Sequence, residues 1–511
     1  MKRLIFIFSL IILALTSCTD LTTRLFDRIP ADKFPENSTQ AALMMIPVYQ
    51  AMQPFLDYGG WWFAQEITSD ETTCPTRNTD WYDGGKWIAL QTHAWSKTNN
   101  DIEAINEMWY WFYKGVYEAN KLIEFLEPSA KAGNEQAIQT IAKAKVMRDY
   151  YYYLLIDNYG NVPFITSFSH APTNPRCNFR AQIWDSIVNE AAEQLKYLPE
   201  TGSKYSVTKA MDYALLAKLY LNAAVYTGQD KQEYWQKTID YCDSIINLGQ
   251  FDLEADPLAP FVTHNEHSIE NIFTIGYDEN TYKGFNLHMR TLHYQSYLTF
   301  NMKVKPWNGF ACQPDFYPLF SDKDKRKKMF LVGQQYSYTG QPIRDPGANN
   351  DLLIFTPDIP ALYMTPDKYT LDQIRMSGAR VVKFQVKLGA TANLSNDFPI
   401  FRYADILLMK AEALIRLYGP SNPEAVQLVN RIRERAGLDP WTTVPLDSLL
   451  NERGREMYWE AKRRQDLIRF GQFGRAWWEK PQDPEDKSIF PIPRWAIEGN
   501  PNLALPPVIN Q

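Results

Sequence analysis

The feature that most narrows what this chain can fold into is a series of long segments with apolar residues at helical spacing, each followed closely by another. In "NNDIEAINEMWYWFYKGVYEANKLIEFLEP", Ile105, Trp109, Phe112, Val116, Ile123 and Leu126 fall on one stripe, the signature of an amphipathic helix. Asn120 lies on the same stripe, so it is a buried polar group that needs partners. "NEQAIQTIAKAKVMRDYYYYLLIDNYGNVPF" reads as a second helix that stops at Asn158–Gly160. Three more follow before residue 250. "STQAALMMIPVYQAMQPFL" reads as an earlier one, capped by Ser38 or Thr39.

Short joins make successive helices antiparallel neighbours. Small residues (Ala214, Ala217, Ala223, Ala224) stand where two helices would cross closely. The pattern resembles tetratricopeptide-type helical hairpins. Two stretches break it. Residues 57–100 are loop-rich, and residues 250–398 are rich in Gly, Pro, Asn and Asp, with short strand-like runs such as "NIFTIGY" and "RVVKFQV". Long irregular excursions from a regular scaffold usually carry function. Helices resume at "PIFRYADILLMKAEALIRLYG". The fold class is therefore mainly α with little β: a scaffold over about 100–250 and 398–475 and excursions over about 57–100 and 250–398, all within one unit, 18–511.

The first seventeen residues are set apart. Lys2 and Arg3 precede the apolar run Leu4–Leu15, which is short of the ~20 residues a transmembrane helix needs. "LTSC" then puts small residues before Cys18. Residues 1–17 thus read as a lipoprotein signal peptide, with Cys18 the acylated first residue and lipid the only membrane attachment. The formal net charge is −6, and no strongly basic face is evident, which argues against nucleic acid as a partner. Cys74, Cys177, Cys242 and Cys312 are too far apart for a metal knuckle or a CxxC pair.

Sites for chemistry are scarce. The histidines of "HNEH" and "HMRTLH" lack HExxH spacing, and no Walker A loop, GxSxG elbow or GxGxxG is present, so no cofactor and no metal are expected. Asp405 and Glu412 share a helix face and could be a hydrolase's carboxylate pair. Arg453 and Arg464 lie on another buried stripe and need carboxylates, so Asp405 and Glu412 read better as their ion-pair partners.

"CPTRNTDWYDGGKW" (Cys74–Trp87) suggests a binding surface. Sugar rings have apolar faces and hydroxyl edges; aromatic planes stack on the faces and Asp, Asn and Arg bond the edges. Trp81, Tyr82 and Trp87 alternate here with Arg77, Asn78, Asp80 and Asp83. Trp95 and Asn99 follow just before the first long helix. In the later excursion, Tyr282 and the "KPWNGF" stretch, with Trp307 and Asn308, are further candidates. Trp109, Trp111, Trp459, Trp477, Trp478 and Trp495 read as structural. A flat row of rings would suit an extended β-linked backbone such as xyloglucan, and a curved arc an α-glucan. A glycoside hydrolase and a peptide-binding repeat scaffold remain alternatives.

"MWYWFYKGVYEANKLIEFL", "RDYYYYLLIDNYGNVPF", "NDFPIFRYADILLMKAEAL", "RIRERAGL", "LLNERGREMYWEAKRRQDLIRFG" and "IFPIPRWAIEGNPNL", in that order, resemble the SusD/RagB family. The resemblance implies about four tetratricopeptide units and a non-catalytic lipoprotein on the outer-membrane surface of a Gram-negative bacterium. It implies oligosaccharide capture for a SusC-like TonB-dependent transporter. The family often ends soon after the NPNL-type motif, whereas here "ALPPVINQ" follows.

Overall fold

The computed structural model describes residues 34–96 and 98–508. The apolar run Leu4–Leu15 and Cys18 lie outside the described residues, and with them the signal-peptide and lipidation readings. The helices that matter below are α1 (Ser38–Gln50), α2 (Trp61–Ile67), α3 (Lys86–Gln91), α4 (Glu103–Lys131), α5 (Glu135–Tyr159), α6 (Arg180–Gln194), α7 (Lys209–Leu221) and α8 (Gln232–Asn247). After the excursion come α9 (Tyr403–Tyr418), α10 (Pro423–Arg435), α11 (Leu446–Met457) and α12 (Arg463–Arg469). Asn37, not Ser38 or Thr39, caps α1, its side chain accepting from the Gln40 amide.

Each long helix packs on its neighbour in the chain: α4 on α5, α5 on α6, α7 on α8. The approach of α4 to α5 is close because Gly115 has no side chain; a Cβ there would come within 2.2 Å of the Tyr151 ring. Asn120 donates to the Ile165 carbonyl and accepts from Arg148, so both ends of its amide are partnered. The stack continues across the excursion: α9 packs against α8 as α7 does. The strand Phe398–Arg402 returns the chain by pairing antiparallel with Asn271–Ile275. One large hydrophobic core reaches from Met45 to Leu503, and two small separate clusters lie in the later excursion.

Residues 57–100 hold more structure than expected. Trp61 and Trp62 lie on a helix, α2, and both are buried. The later excursion is mostly short turns and two-residue strands; of "RVVKFQV" only Arg380–Val381 is strand. Trp495 is exposed, unlike the other tryptophans read as structural.

Beneath the excursion lies a lattice of buried ion pairs. Arg402 reaches Glu270, Glu456 (2.8 Å) and Glu460 (2.7 Å). Arg435 joins Glu270 at 2.7 Å, and Arg326 joins Glu452 at 2.8 Å and Glu456 at 3.1 Å. Asp405 binds Lys218 at 3.0 Å and Arg453 at 2.9 Å. Burial alone would raise the pKa of Asp405; Lys218 and Arg453 hold it well below the carboxylate range. Glu412 pairs with Arg469 at 2.7 Å, not with Arg464. Arg464 instead lies against Phe490 and donates to the Ser488 carbonyl. Asp405 and Glu412 are thus consumed by cations, as the stripe argument expects.

Candidate functional site

The Cys74–Trp87 loop is fastened at its base before it presents anything. Thr72–Thr73 pairs antiparallel with Ala311–Cys312, and Thr76–Arg77 pairs parallel with Tyr363–Met364. Arg77 belongs to this fastening. It is buried, donating to the Ile374 carbonyl at 2.7 Å and the Ser377 carbonyl at 2.9 Å, so the expectation that it meets a ligand is corrected.

Beyond Arg77 the backbone turns into left-handed conformations. Asn78 (φ 64°), Trp81 (64°), Asp83 (43°), Gly84 (68°) and Gly85 (81°) all adopt positive φ. Glycine does so freely and asparagine tolerably, but a tryptophan there is strained and persists only where its surroundings fix it. They do. The Trp81 ring tilts against Phe310 (5.3 Å) and Trp87 (5.9 Å), and its indole N–H donates to the Trp307 carbonyl at 2.8 Å. The ring lies on Gly309, where a Cβ would meet it at 2.3 Å.

Trp307 forms the opposite wall. Its amide donates to the Met289 carbonyl at 2.7 Å, and its ring, 38% exposed, faces the Arg290 guanidinium at 5.4 Å. Between the walls lies an open cleft of about 500 Å³, lined also by Asp80, Asp83, Lys86 and Tyr294. A smaller depression of about 250 Å³ adjoins it and shares Lys86, Trp87 and Arg290 with it; its polar lining also includes Asp57, Tyr58 and Glu103.

The polar groups are held in place. Tyr294 donates to Asp80, and burial together with that carboxylate pushes the Tyr294 pKa up to about 12. Asp83 accepts from the Trp87 indole at 2.7 Å. Arg290 binds Asp57 at 2.7 Å, and Lys86 binds Glu103 at 2.5 Å. Lys86 and Arg290, the two cations of the lining, stand among the carboxylates Asp57, Asp80, Asp83 and Glu103, and Arg375, behind the Tyr294 ring, is paired with Asp345, which leaves no surplus of positive charge for an anionic ligand. The arrangement offers fixed aromatic surface and fixed hydrogen-bonding edges. The Trp81 ring is tilted by 54° from the Trp87 ring beneath it.

The other expected residues divide. Tyr82 is 47% exposed and tilts against Tyr363 outside the cleft lining. Asn78 is exposed, its amide N–H fixed to the Met364 carbonyl. Asn99 is exposed in a separate turn, its side chain donating to the Ala94 carbonyl. Three placements are corrected. Trp87 is buried among Phe63 and Phe310, leaving it as cleft floor rather than platform. Trp95 is 1% exposed, packed on Phe490. Asn308 is fully buried, donating to the Arg375 carbonyl and accepting from Arg380. Tyr282 lines a different cavity. Sequence reasoning missed Arg290 and Tyr294, which stand in the same "HMRTLHY" run as two histidines that attract notice first. Among the described residues no group of three or more His, Cys, Asp and Glu side chains is placed to hold a metal ion.

Comparison with known proteins adds a second line of evidence. One matching family model is described as "SusD family" and covers residues 374–504. Another, described as "Starch-binding associating with outer membrane", covers residues 38–221. The chain is 24% identical over 442 residues to the starch-binding protein SusD of Bacteroides thetaiotaomicron, spanning 77% of this chain and 74% of that protein. A SusD superfamily protein from Parabacteroides distasonis superposes with a TM-score of 0.75 at 20% identity, covering 91% of this chain and 98% of the other. Surface glycan-binding protein A from Bacteroides thetaiotaomicron, solved with laminarihexaose, superposes with a TM-score of 0.71 at 21% identity, covering 90% and 97%.

Proposed function

We propose a function from this premise: the chain belongs to the SusD/RagB family. It is a non-catalytic surface glycan-binding protein that holds a neutral oligosaccharide between Trp81 and Trp307 and passes it to a SusC-like TonB-dependent transporter. Lipid on Cys18 anchors it to the outer membrane, and residues 18–511 act as one unit. None of the described helices is long and apolar enough to cross a membrane.

The observation that carries the reading is the cleft itself. A strained, fully braced tryptophan faces a second exposed tryptophan across polar groups that are already oriented. Such preorganisation lowers the ordering cost of binding. The relatives support the ligand class: one is named for starch and one was solved with laminarihexaose. Neither is named for xyloglucan, so the hemicellulose expectation lacks support.

The test is titration of the purified full-length protein with neutral polysaccharides, including starch and laminarin. Saturable binding that weakens about tenfold or more in Trp307→Ala, with an unchanged melting temperature, is expected. Tenfold corresponds to about 1.4 kcal/mol. Unaltered binding in that variant would remove the cleft from the reading. A reducing-sugar assay showing more than one new chain end per protein molecule would replace it with hydrolysis.

A further inference from the structure

A second cavity, of about 500 Å³, lies apart from the cleft and shares no lining residue with it. Met52 lines this cavity and Asp57 lines the depression beside the cleft, with the turn Gln53–Leu56 between them. The cavity falls in the size range of small-molecule sites.

Its lining mixes aromatic, aliphatic and polar residues. Tyr49, Tyr205, Tyr277 and Tyr282 all contribute. Tyr277 and Tyr282 stand 6.4 Å apart with their planes at 44°. Tyr277 is fixed by donating to the Gln53 carbonyl at 2.9 Å. Tyr205 donates to Asp397 at 2.7 Å, and Gly276 lets the Tyr205 ring approach, since a Cβ there would lie 2.9 Å from it. Two carboxylates, Asp278 and Asp397, line the cavity and no cation does.

One group is unaccounted for by the fold. Thr274 is among the lining residues and is 2% exposed, and its hydroxyl, itself buried, has no hydrogen-bond partner. A buried hydroxyl is costly unless water or a ligand completes it. Its backbone N–H is satisfied by the Lys204 carbonyl, so the strand does not need the hydroxyl for itself.

We propose that this cavity is a second saccharide site, taking one or two pyranose units of a neutral glycan and rejecting uronic-acid and sulfated sugars. The tyrosine faces receive the apolar faces of the ring. Asp397 and Asp278 take sugar hydroxyls, and the two carboxylates repel an anionic sugar. The proposal rests on the glycan-binding reading for its ligand chemistry only.

Calorimetric titration of the full-length protein with maltose, laminaribiose and digalacturonic acid tests it, alongside Trp307→Ala, Tyr282→Ala and Asp397→Asn. The Trp307→Ala protein should keep weak binding of a neutral disaccharide. Adding Tyr282→Ala or Asp397→Asn should weaken that residual binding at least fivefold. Tyr282→Ala alone should leave polysaccharide binding at the first cleft within twofold, and unchanged melting temperatures exclude misfolding. The second site is overturned, and the cleft reading left standing, if Trp307→Ala binds neither disaccharide or if the added substitutions change nothing. Binding of digalacturonic acid that Tyr282→Ala removes would overturn the neutral class.

Discussion

The ion-pair lattice under α9–α12 and the aromatic cleft use the same residue types to opposite ends. In the lattice, Arg402 is buried among three glutamates, and Asp405, Glu412 and Asp466 are each matched to arginines or lysines. In the cleft and the depression beside it, four carboxylates stand with two cations, and Trp307 is left exposed. Pairing inside a low-dielectric core uses up a charge's capacity for bonding. A group held in place but only partly bonded keeps that capacity for a ligand. The lattice therefore governs whether the chain folds, and the cleft what it holds.

That division can be broken at four places. Arg402→Ala has the largest expected effect. Leaving Glu270, Glu456 and Glu460 buried without it should cost ~3–5 kcal/mol, read by denaturant unfolding, and the folded fraction should still bind glycan. A stability change within 1 kcal/mol would mean the lattice is not what holds this region.

Next comes a pH effect. Glu66 and Glu71 are buried beside one another; Glu66 accepts from the Ala461 amide and Glu71 from the Trp459 amide. Burial, and for Glu71 the neighbouring Glu66, pushes both pKa values up, Glu66 to about 7. A carboxyl raised in the fold binds its proton more tightly folded than unfolded. Its stabilising contribution is full below about pH 4.5 and is lost as pH rises through about 7. Glu452 and Asp466, lowered to about 2 after cations outweigh burial, act in the other direction, their contribution present at neutral pH and lost on acidification. Glu71→Gln should flatten the fall in stability as pH rises above about 4.5. Melting curves across that range decide it, and an unaltered slope would sink the assignment.

Gly309→Ala sharpens the comparison from the cleft side. Its methyl would displace the Trp81 ring, weakening glycan about tenfold, or about 1.4 kcal/mol, at a stability cost of ~1 kcal/mol. Equal affinity would show that Trp81 need not sit where it does. The smallest effect belongs to Tyr82→Ala. The ring lies outside the cleft lining, so affinity should change by less than about twofold, ~0.4 kcal/mol; a tenfold loss by titration would extend the site toward Tyr363.

The scaffold was legible in sequence because helical packing repeats locally: the α4 stripe, Asn120 with its need for partners, and Asp405 as an ion-pair member all follow from spacing. The cleft was legible only by composition. Trp81 and Trp307 could be singled out as aromatic loop residues, but burial separates Trp81 from Trp95, and burial depends on Phe490, about 400 residues away along the chain. Arg77 and Asn308 look like ligand donors until the carbonyls of Ile374, Ser377 and Arg375 are seen to take their hydrogen bonds. Those partners belong to the irregular excursion, where no period announces who will meet whom.

The strands that fasten the loop carry a consequence for synthesis. Thr72–Thr73 pairs with a segment about 240 residues later, and Thr76–Arg77 with one later still. Such distant pairings form late, after the closure of long loops has been met by other contacts. Since a chain emerges from its N-terminus, Trp81 lacks Phe310 and the Trp307 carbonyl, and Tyr82 lacks Tyr363, until those much later residues have been made. The tryptophan that walls the cleft is thus among the side chains that wait for their partners in the nascent protein, and it is where a holding chaperone has surface to cover.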